Sequence, residues 1–481
     1  MVDVLLTHSY HLYHDRKQVR KMQPYPPLGT LYAAALLRRQ GYSVALFDSM
    51  LESPEKHFPE TIGRLRPRVV AIYEDNFNFL SKMCLGRMRE VAFRMIDTAR
   101  AAGASVVVNG SDASDHAADY LDRGADYVLL GEAEWTLLEL VEALAGRSAR
   151  HPWDIEGLAY ADRLSGSVVR TPPRALMRDL DRLPFPSRDL VDMARYRSAW
   201  KRAHGFFCLN LIASRGCPYG CNWCAKPIYG NAFNVRSPGS VAAEMRELRD
   251  RFGADFLWVA DDLFGIRESW LEELADRVES SQAAVPFKIQ SRVDLMQEGS
   301  VRALRRSGCA EVWMGVESGS QRILDAMDKG TSVDQVRQAR ALLKSNGIRA
   351  CFFIQFGYPG EVWEDIEKTI RLVRETRPDD VGISVSYPLP GTVFYERVRA
   401  QLGAKTHWMD SEDLSMMFRG AYTSEFYRAL HDALHAEVDS WRRPGPTSDP
   451  ARPDRLWKRV HGLEGACRRA DRTEISEWIC S

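Results

Sequence analysis

Three cysteines constrain this chain more than any other feature. Cys217, Cys221 and Cys224 stand in the run Ser214-Arg215-Gly216-Cys217-Pro218-Tyr219-Gly220-Cys221-Asn222-Trp223-Cys224. The C-x3-C-x2-C spacing gathers three thiolates on one short loop bent by glycine and proline. Three thiolates hold three irons of a 4Fe–4S cluster and leave the fourth iron open. An open position is what separates a catalytic metal centre from a closed structural one. Structural zinc takes four ligands; the nearest upstream donors are Cys208 and His204, and no second C-x2-C completes a ribbon. A disulfide framework suits short secreted chains rather than 481 residues with nine scattered cysteines and no signal-peptide pattern. Cys84, Cys208, Cys309, Cys351, Cys467 and Cys480 read as ordinary thiols.

Composition sets outer bounds. With 45% hydrophobic and 27% charged residues, the chain is able to build two or three domains with sizeable cores. Basic and acidic residues both number 65, a balance that argues against a nucleic-acid-binding surface. No apolar run approaches the ~20 residues that cross a bilayer. A thiolate-held cluster calls for a reducing compartment, so a cytoplasmic location is expected.

The first third alternates short apolar strands with amphipathic helices. Strands are predicted at 2–7, 43–48, 69–73, 105–109 and 126–130, and helices at 28–40, 80–102, 113–123 and 135–145. That alternation predicts an α/β unit, a doubly wound, Rossmann-like parallel sheet covered on both faces. Ligands of such sheets sit beyond the carboxyl ends of the strands, where strand order reverses. The loops there are Pro24-Tyr25-Pro26-Pro27-Leu28-Gly29, Tyr73-Glu74-Asp75-Asn76, Asn109-Gly110-Ser111 and Gly131-Glu132-Ala133-Glu134.

Residues 146–200 are rich in Pro, Arg and Asp and read as a linker, with a small hairpin within 157–170. A second series follows over 201–400. Strands are predicted at 206–213, 256–260, 287–290, 311–315, 350–356 and 382–386, with helices between them at 239–252, 268–280, 300–307, 321–327, 333–346 and 361–375. Six repeats predict a partial (β/α)6 barrel, with its chemistry at the C-terminal strand ends. The cysteine loop directly follows the first strand. Residues 401–481 read as a mainly helical capping region, with aromatics at Trp408, Phe418 and Tyr422 ahead of a helix near 424–441 and a polar, proline-rich tail after Pro446.

The cysteine run, with Trp223 just before the third cysteine, resembles the signature of the radical S-adenosylmethionine (radical SAM) superfamily. The resemblance implies that the open iron binds the amino and carboxylate groups of SAM, and that one electron cleaves SAM to a 5′-deoxyadenosyl radical. It carries further residues at the strand ends. Asp261 and Asp262 occupy the place of a Gly-Gly-Glu segment that contacts the SAM amino group; the alternative for Asp262 is a helix cap. Arg292, a guanidinium suited to bidentate binding, is a partner for the SAM carboxylate. Gly315-Val316-Glu317-Ser318-Gly319 resembles a Gly-x-Glu-Ser-Gly motif, which places Glu317 and Gly319 beside SAM. Gly357-Tyr358-Pro359-Gly360-Glu361 resembles a structural Gly-x-Pro-Gly-Glu turn.

Residues 1–145 resemble the cobalamin-binding domain that precedes one large radical SAM subgroup. The match rests on Pro27 and Gly29 entering a helix, Asn76 after the third strand, Asn109 and Gly110 after the fourth, and Gly131 and Glu132 after the fifth. It departs from the subgroup where Asn109 replaces a glycine and where Ala133 interrupts Gly-Glu-Gly-Glu. The D-x-H-x-x-G segment that gives a histidine to cobalt is absent, so cobalamin is expected base-off. The alternative is a flavodoxin-like domain that binds nothing.

The expected protein is a cobalamin-dependent radical SAM enzyme with a 4Fe–4S cluster, SAM and cobalamin. The resemblance implies methylation of an unactivated carbon of a small-molecule substrate through methylcobalamin, with a flavodoxin- or ferredoxin-type reductant. It also reaches the anaerobic cyclase of magnesium-protoporphyrin monomethyl ester, so oxidative cyclisation or rearrangement without methyl transfer stays open. A non-enzymatic iron–sulfur carrier would make Arg292, Glu317 and the Asp pair coincidental. A methylthiotransferase would need a cysteine triad in the N-terminal domain, which the chain lacks.

Overall fold

The computed structural model describes residues 2–162, 164–441 and 449–470, with side chains to residue 466. Cys467, Cys480 and much of the polar tail lie outside the described residues.

The N-terminal sheet contains β1 (Val4–Thr7), β2 (Val44–Phe47), β3 (Val69–Tyr73), β4 (Ser105–Asn109) and β5 (Tyr127–Leu129), followed by β6 (Leu158–Ala161) and β7 (Val168–Arg170). Its order is β2-β1-β3-β4-β5-β6-β7. The first five strands are parallel; β6 and β7 join antiparallel, with Leu158 beside Leu129. The hairpin expected within 157–170 therefore forms, but it widens the sheet instead of standing apart as linker. Strand order reverses between β1 and β3, which puts the ligand crevice at their carboxyl ends.

Helix Leu28–Arg39 has every residue from Leu28 to Leu37 buried. An all-round apolar helix must be covered on both sides, and here the sheet covers one side and the second domain the other. Two predicted helices are broken: 80–102 divides into Phe79–Met83 and Gly86–Ala101 around a left-handed Cys84, and 113–123 into Ser111–Asp115 and Ala117–Arg123. Helices Pro54–Leu65 and Met193–His204 were not expected. The second lies in the supposed linker and is firmly tied: Trp200 Nε1 donates to Pro24 O at 2.6 Å, and Tyr196 Oη to Asp48 at 2.7 Å. Nearby, Arg188 is buried against Glu244 at 2.7 Å.

The second domain contains β8 (Cys208–Leu211), the short β9 (Ser214–Arg215) and β10 (Asn234–Val235), β11 (Phe256–Val259), β12 (Phe287–Ser291), β13 (Cys309–Glu317), β14 (Arg349–Phe356) and β15 (Asp380–Val385). Six of these form one parallel sheet, ordered β15-β14-β13-β12-β11-β8. No pairing closes β15 onto β8 among the described residues, so the barrel is partial, as the six repeats predict. β13 runs two residues beyond its predicted end, with a register shift between Gly315 and Glu317 and a left-handed Glu317 at φ 60°.

Beyond residue 400 the chain crosses back to the N-terminal domain. Trp408, Phe418 and Tyr422 are buried, Gly86 N donates to Trp408 O at 2.7 Å, and Ser411 Oγ donates to Asp15 at 2.8 Å. Helix Ser424–Ser440 lies beside β15, and helix Arg452–Ala470 packs on it. This second helix falls in the tail read as polar and proline-rich, within the mainly helical region expected beyond residue 400.

Candidate active site

The cysteine loop leaves β9 at the open end of the barrel. Gly216 needs its left-handed φ of 81°, and a Cβ there would lie 2.1 Å from Ala232 O. The three thiols are half-buried and unpaired. Burial raises the pKa of Cys217 and pushes Cys224 up to about 12, so free thiolates are disfavoured until a cation shares the site. The loop is pinned by Asn222, whose Nδ2 donates to Ala326 O and Asp328 Oδ2, both at 2.8 Å, and whose Oδ1 accepts from Tyr358 Oη at 2.9 Å. Trp223 packs beside Ile323, Met327 and Phe394, and its buried Nε1 has no partner.

Cationic groups surround Cys221. Arg292 brings Nη1 to 3.7 Å from Cys221 Sγ, stacks 3.8 Å above the Tyr219 ring, pairs with Asp294 at 2.9 Å and donates to Lys329 O at 2.8 Å. Lys329 in turn pairs with Glu317 at 2.7 Å, and both are buried. Burial works against the charge on Lys329, but Glu317 and Cys221 outweigh it and raise its pKa. Gly315 makes this pair possible, because a Cβ there would lie 2.6 Å from both Glu317 Oε1 and Lys329 Nζ.

The remaining residues expected beside SAM are placed differently. Asp261 accepts from Ala213 N and from Ser214 Oγ, both at 2.7 Å, so each of its oxygens braces the start of the cysteine loop. Burial pushes its carboxyl up to about 7. Asp262 forms an ion pair with Lys82 of the N-terminal domain and caps no helix. Gly319 faces helix Trp363–Thr376, where a Cβ would lie 2.5 Å from Lys368 O. That contact is a packing reason for the glycine.

The crevice of the N-terminal sheet gathers a second set. Pro27 caps helix Leu28–Arg39, and Gly29 N donates to Asp75 Oδ1 at 3.0 Å. Asn76 Nδ2 donates to Asn109 Oδ1 at 2.9 Å, and Asn109 Nδ2 donates to Leu129 O at 3.0 Å. Gly110 sits against Glu74, whose Cγ would lie 2.9 Å from an added Cβ. Gly131 turns with φ 68° beside the segment that follows the cysteines. Four polar atoms here are buried without a partner: Tyr10 Oη, Glu74 Oε2, Asn76 Oδ1 and Ser111 Oγ. Buried polar atoms are nearly always satisfied, so this group at a strand-order switch fits a polar ligand.

Glu132 is drawn elsewhere. Its Oε1 pairs with Arg215 at 2.5 Å and its Oε2 accepts from Met177 N at 2.6 Å, while Glu134 pairs with Arg215 at 2.7 Å. Arg215 is 1% exposed and lies two residues before Cys217. Its guanidinium rests 5.2–5.5 Å from the rings of Tyr32, Phe77 and Tyr229. Burial opposes its charge, but Glu134 and Glu132 hold its pKa well above the usual range. One buried ion-pair group thus joins the Gly-Glu-x-Glu loop of the first domain to the cysteine loop of the second.

Sequence reasoning missed Arg215, Glu134, Lys329, Asn222 and the orphaned Ser111. Arg215 and Asn222 sat within the cysteine run and Glu134 within its own motif, yet no local pattern said that Arg215 and Glu134 pair. Lys329 carried no signal.

Comparison with known proteins identifies both domains. Residues 211–373 match the Radical SAM superfamily and residues 22–141 match the B12 binding domain. A methyltransferase of Pyrococcus horikoshii, itself uncharacterised, is 28% identical over 84% of this chain and 88% of its own length. The anaerobic magnesium-protoporphyrin IX monomethyl ester cyclase of Rubrivivax gelatinosus is 27% identical over 81% of this chain and 68% of its own. The fold matches the radical SAM methyltransferase TsrM of Kitasatospora setae, solved with cobalamin and a [4Fe-4S] cluster: TM-score 0.68, 18% identity, 97% of this chain and 89% of that one. Among the described residues no helix is long and apolar enough to cross a membrane. The chain belongs to the radical SAM superfamily, in the branch with an N-terminal B12-binding domain, and is an enzyme whose cofactors are a 4Fe–4S cluster, SAM and cobalamin.

Proposed function

We propose that this enzyme methylates an unactivated carbon of a small-molecule substrate. The observation that carries the reading is Arg215, which ties the cysteine loop of the radical SAM domain directly to the Gly-Glu-x-Glu loop of the B12-binding domain. When bound, the cofactors supply reductive SAM cleavage to a radical that takes hydrogen from carbon, and a methyl group carried on cobalt.

The chain's own residues bind, orient and exclude water. Cys217, Cys221 and Cys224 hold the cluster. Arg292 and Lys329, each held by its own carboxylate, would stand beside a cluster on Cys221, whose electron a flavodoxin- or ferredoxin-type donor would supply. Arg292 keeps Nη1 toward the thiol and remains the candidate for the SAM carboxylate; Glu317 is linked to it through Lys329, and Trp223 packs the far side of the loop in its apolar cluster. Asp262 is the candidate for the SAM ammonium, since its charge reaches Cys217 and Cys224 and, among the described residues, only Lys82 holds it, whereas both oxygens of buried Asp261 brace the loop; Gly319 keeps a packing role. Pro27, Gly29, Asn76, Asn109, Gly110 and Gly131 border the cobalamin crevice, and Glu132 acts through Arg215. At the end of β1, His8 engages Asp48 at 3.0 Å and Ser49 Oγ at 3.2 Å, and His11 Nδ1 engages Ser49 O at 2.7 Å. These engagements support cobalamin held without a protein histidine.

The cyclase likeness favours a second reading, oxidation without methyl transfer. Anaerobic incubation of the reconstituted protein with cobalamin, SAM and a strong reductant separates the two. Methyl transfer yields both 5′-deoxyadenosine and S-adenosylhomocysteine; cyclase-type chemistry yields deoxyadenosine alone. Absence of both products would refute the enzyme assignment.

A further inference from the structure

The inward rows of the barrel strands remain accessible. Trp258, Lys288, Gln290, Trp313 and Ser384 are partly exposed, while their chain neighbours are buried outward against the helices. Strands of a parallel sheet are normally covered on both faces, so these rows line an open lumen. It runs from the cysteine loop down to the strand starts.

The two ends of that lumen differ in charge. At the cluster end each cation has a carboxylate, Arg292 with Asp294 and Lys329 with Glu317. At the far end Lys288, the second residue of β12, has no ion pair or hydrogen bond among the described residues. Its Nζ lies 5.7 Å from the Tyr25 ring and 5.9 Å from the Trp258 ring. Segment 16–26 crosses the open edge of the barrel here, with Tyr25 beside Cys208 of β8 and Lys21 facing Asp380 of β15.

More basic groups converge on the same end, the lysines carrying charge and the histidines neutral imidazole nitrogen. Lys21 is repelled by Lys288, and His431 and His435 of helix Ser424–Ser440 are both repelled by Lys17 and Lys21. The two imidazoles lie 4.3 Å apart, and both Nε2 atoms are buried without a partner. Nearby carboxylates are mostly committed: Glu311 to Arg349 at 2.6 Å and the Trp313 indole at 2.7 Å, Asp15 to Ser411, and Asp432 to His431 at 3.0 Å. Burial and like charges hold Lys17 down to about 8 and His435 to about 3. Three separate elements thus bring basic groups together with Asp380 as the counter-charge facing Lys21.

We propose that this basic end of the lumen anchors an oxyanion of the substrate, a carboxylate or phosphate, while a flat aromatic body lies along Trp258, which the buried Tyr25 backs, with its far edge toward the cysteine loop. Lys288 and Lys21 take the charge, and the Trp258 indole takes the body. The direction of the reacting edge rests on the function proposed above; the anion site itself does not.

Anaerobic titration calorimetry of the cluster-reconstituted full-length chain tests this with 2-naphthoate, 2-naphthyl phosphate and neutral 2-naphthamide. At least one anion should bind about tenfold more tightly than the amide, the scale of a hydrogen bond to a charged group. Whichever anion wins names the group. Lys288→Met and Lys21→Met should each erase most of that preference, and Lys288→Arg should retain it. Equal binding of acid and amide, no binding by any of the three, or full preference in both methionine variants would overturn the proposal. Deoxyadenosine formation by the unmodified protein without probe tests the enzyme reading separately, so the two ideas can fail independently.

Discussion

The two candidate cofactor sites are built on opposite plans. At the barrel mouth the protein satisfies its own charges: Lys329 with Glu317, Arg292 with Asp294, Asp261 with the start of the cysteine loop. In the crevice of the N-terminal sheet, Tyr10, Glu74, Asn76 and Ser111 leave polar atoms buried and unpaired. A self-satisfied site is organised before its ligand arrives, whereas orphaned groups carry a desolvation cost that a ligand must offset. The barrel mouth is therefore the rigid partner and the crevice the one that a ligand completes.

The largest effect should follow from removing the cluster ligands. Replacing Cys217, Cys221 and Cys224 together by alanine should eliminate bound iron and all deoxyadenosine, read by iron analysis and mass spectrometry, while the crevice still binds cobalamin. Deoxyadenosine persisting in that variant would remove the basis for the barrel-mouth assignment.

Next come the buried charges. Lys329→Met strands Glu317, and Arg215→Met strands Glu132 and Glu134; each should cost ~3–5 kcal/mol in urea unfolding. Only Arg215→Met should lower iron content and cobalamin retention together, because only it touches both loops. A loss below ~1 kcal/mol would mean that these pairs are not buried as described.

Ser111→Ala should act in the opposite sense. Without cobalamin its stability should match or exceed that of the parent, since an orphaned hydroxyl is removed. Cobalamin binding should weaken by ~0.5–1.5 kcal/mol. Marked destabilisation without cobalamin would show that the crevice is self-satisfied after all.

The smallest effect is one of slope. Burial raises Glu361 from 4.5 to about 8, so the folded state keeps a proton that the unfolded chain releases. Stability from this group is full below about pH 4.5 and is lost as pH rises toward about 8. Glu361→Gln should flatten thermal stability across that window by a fraction of ~1.4 kcal/mol per pH unit. An unchanged slope would place the carboxyl in contact with water.

Much of this molecule was legible because its signals are local. Periodicity marked five N-terminal strands and six barrel strands, and the cysteine spacing marked the cluster loop. Helix Pro54–Leu65 escaped because Pro59 interrupts its pattern, and the break at Cys84 is a backbone event inside a continuous apolar stripe. Hairpin β6–β7 was visible, but its pairing with β5 is a long-range choice. The site divides the same way. Cys217, Asn76 and Gly110 announced themselves through motifs, whereas the pairing of Arg215 with Glu134 spans 81 positions and leaves no trace in local composition. Asp261 and Gly319 show the converse, since motif position drew attention to residues whose contacts brace or pack the loop.

The most direct test of the central claim is electron spin resonance of the protein loaded with cob(II)alamin and the reduced cluster. Loops joined through Arg215 predict magnetically coupled cobalt and cluster signals, split or broadened relative to either cofactor alone. Two independent, uncoupled spectra would place the cofactors apart and contradict the proposed pairing of the two sites across Arg215.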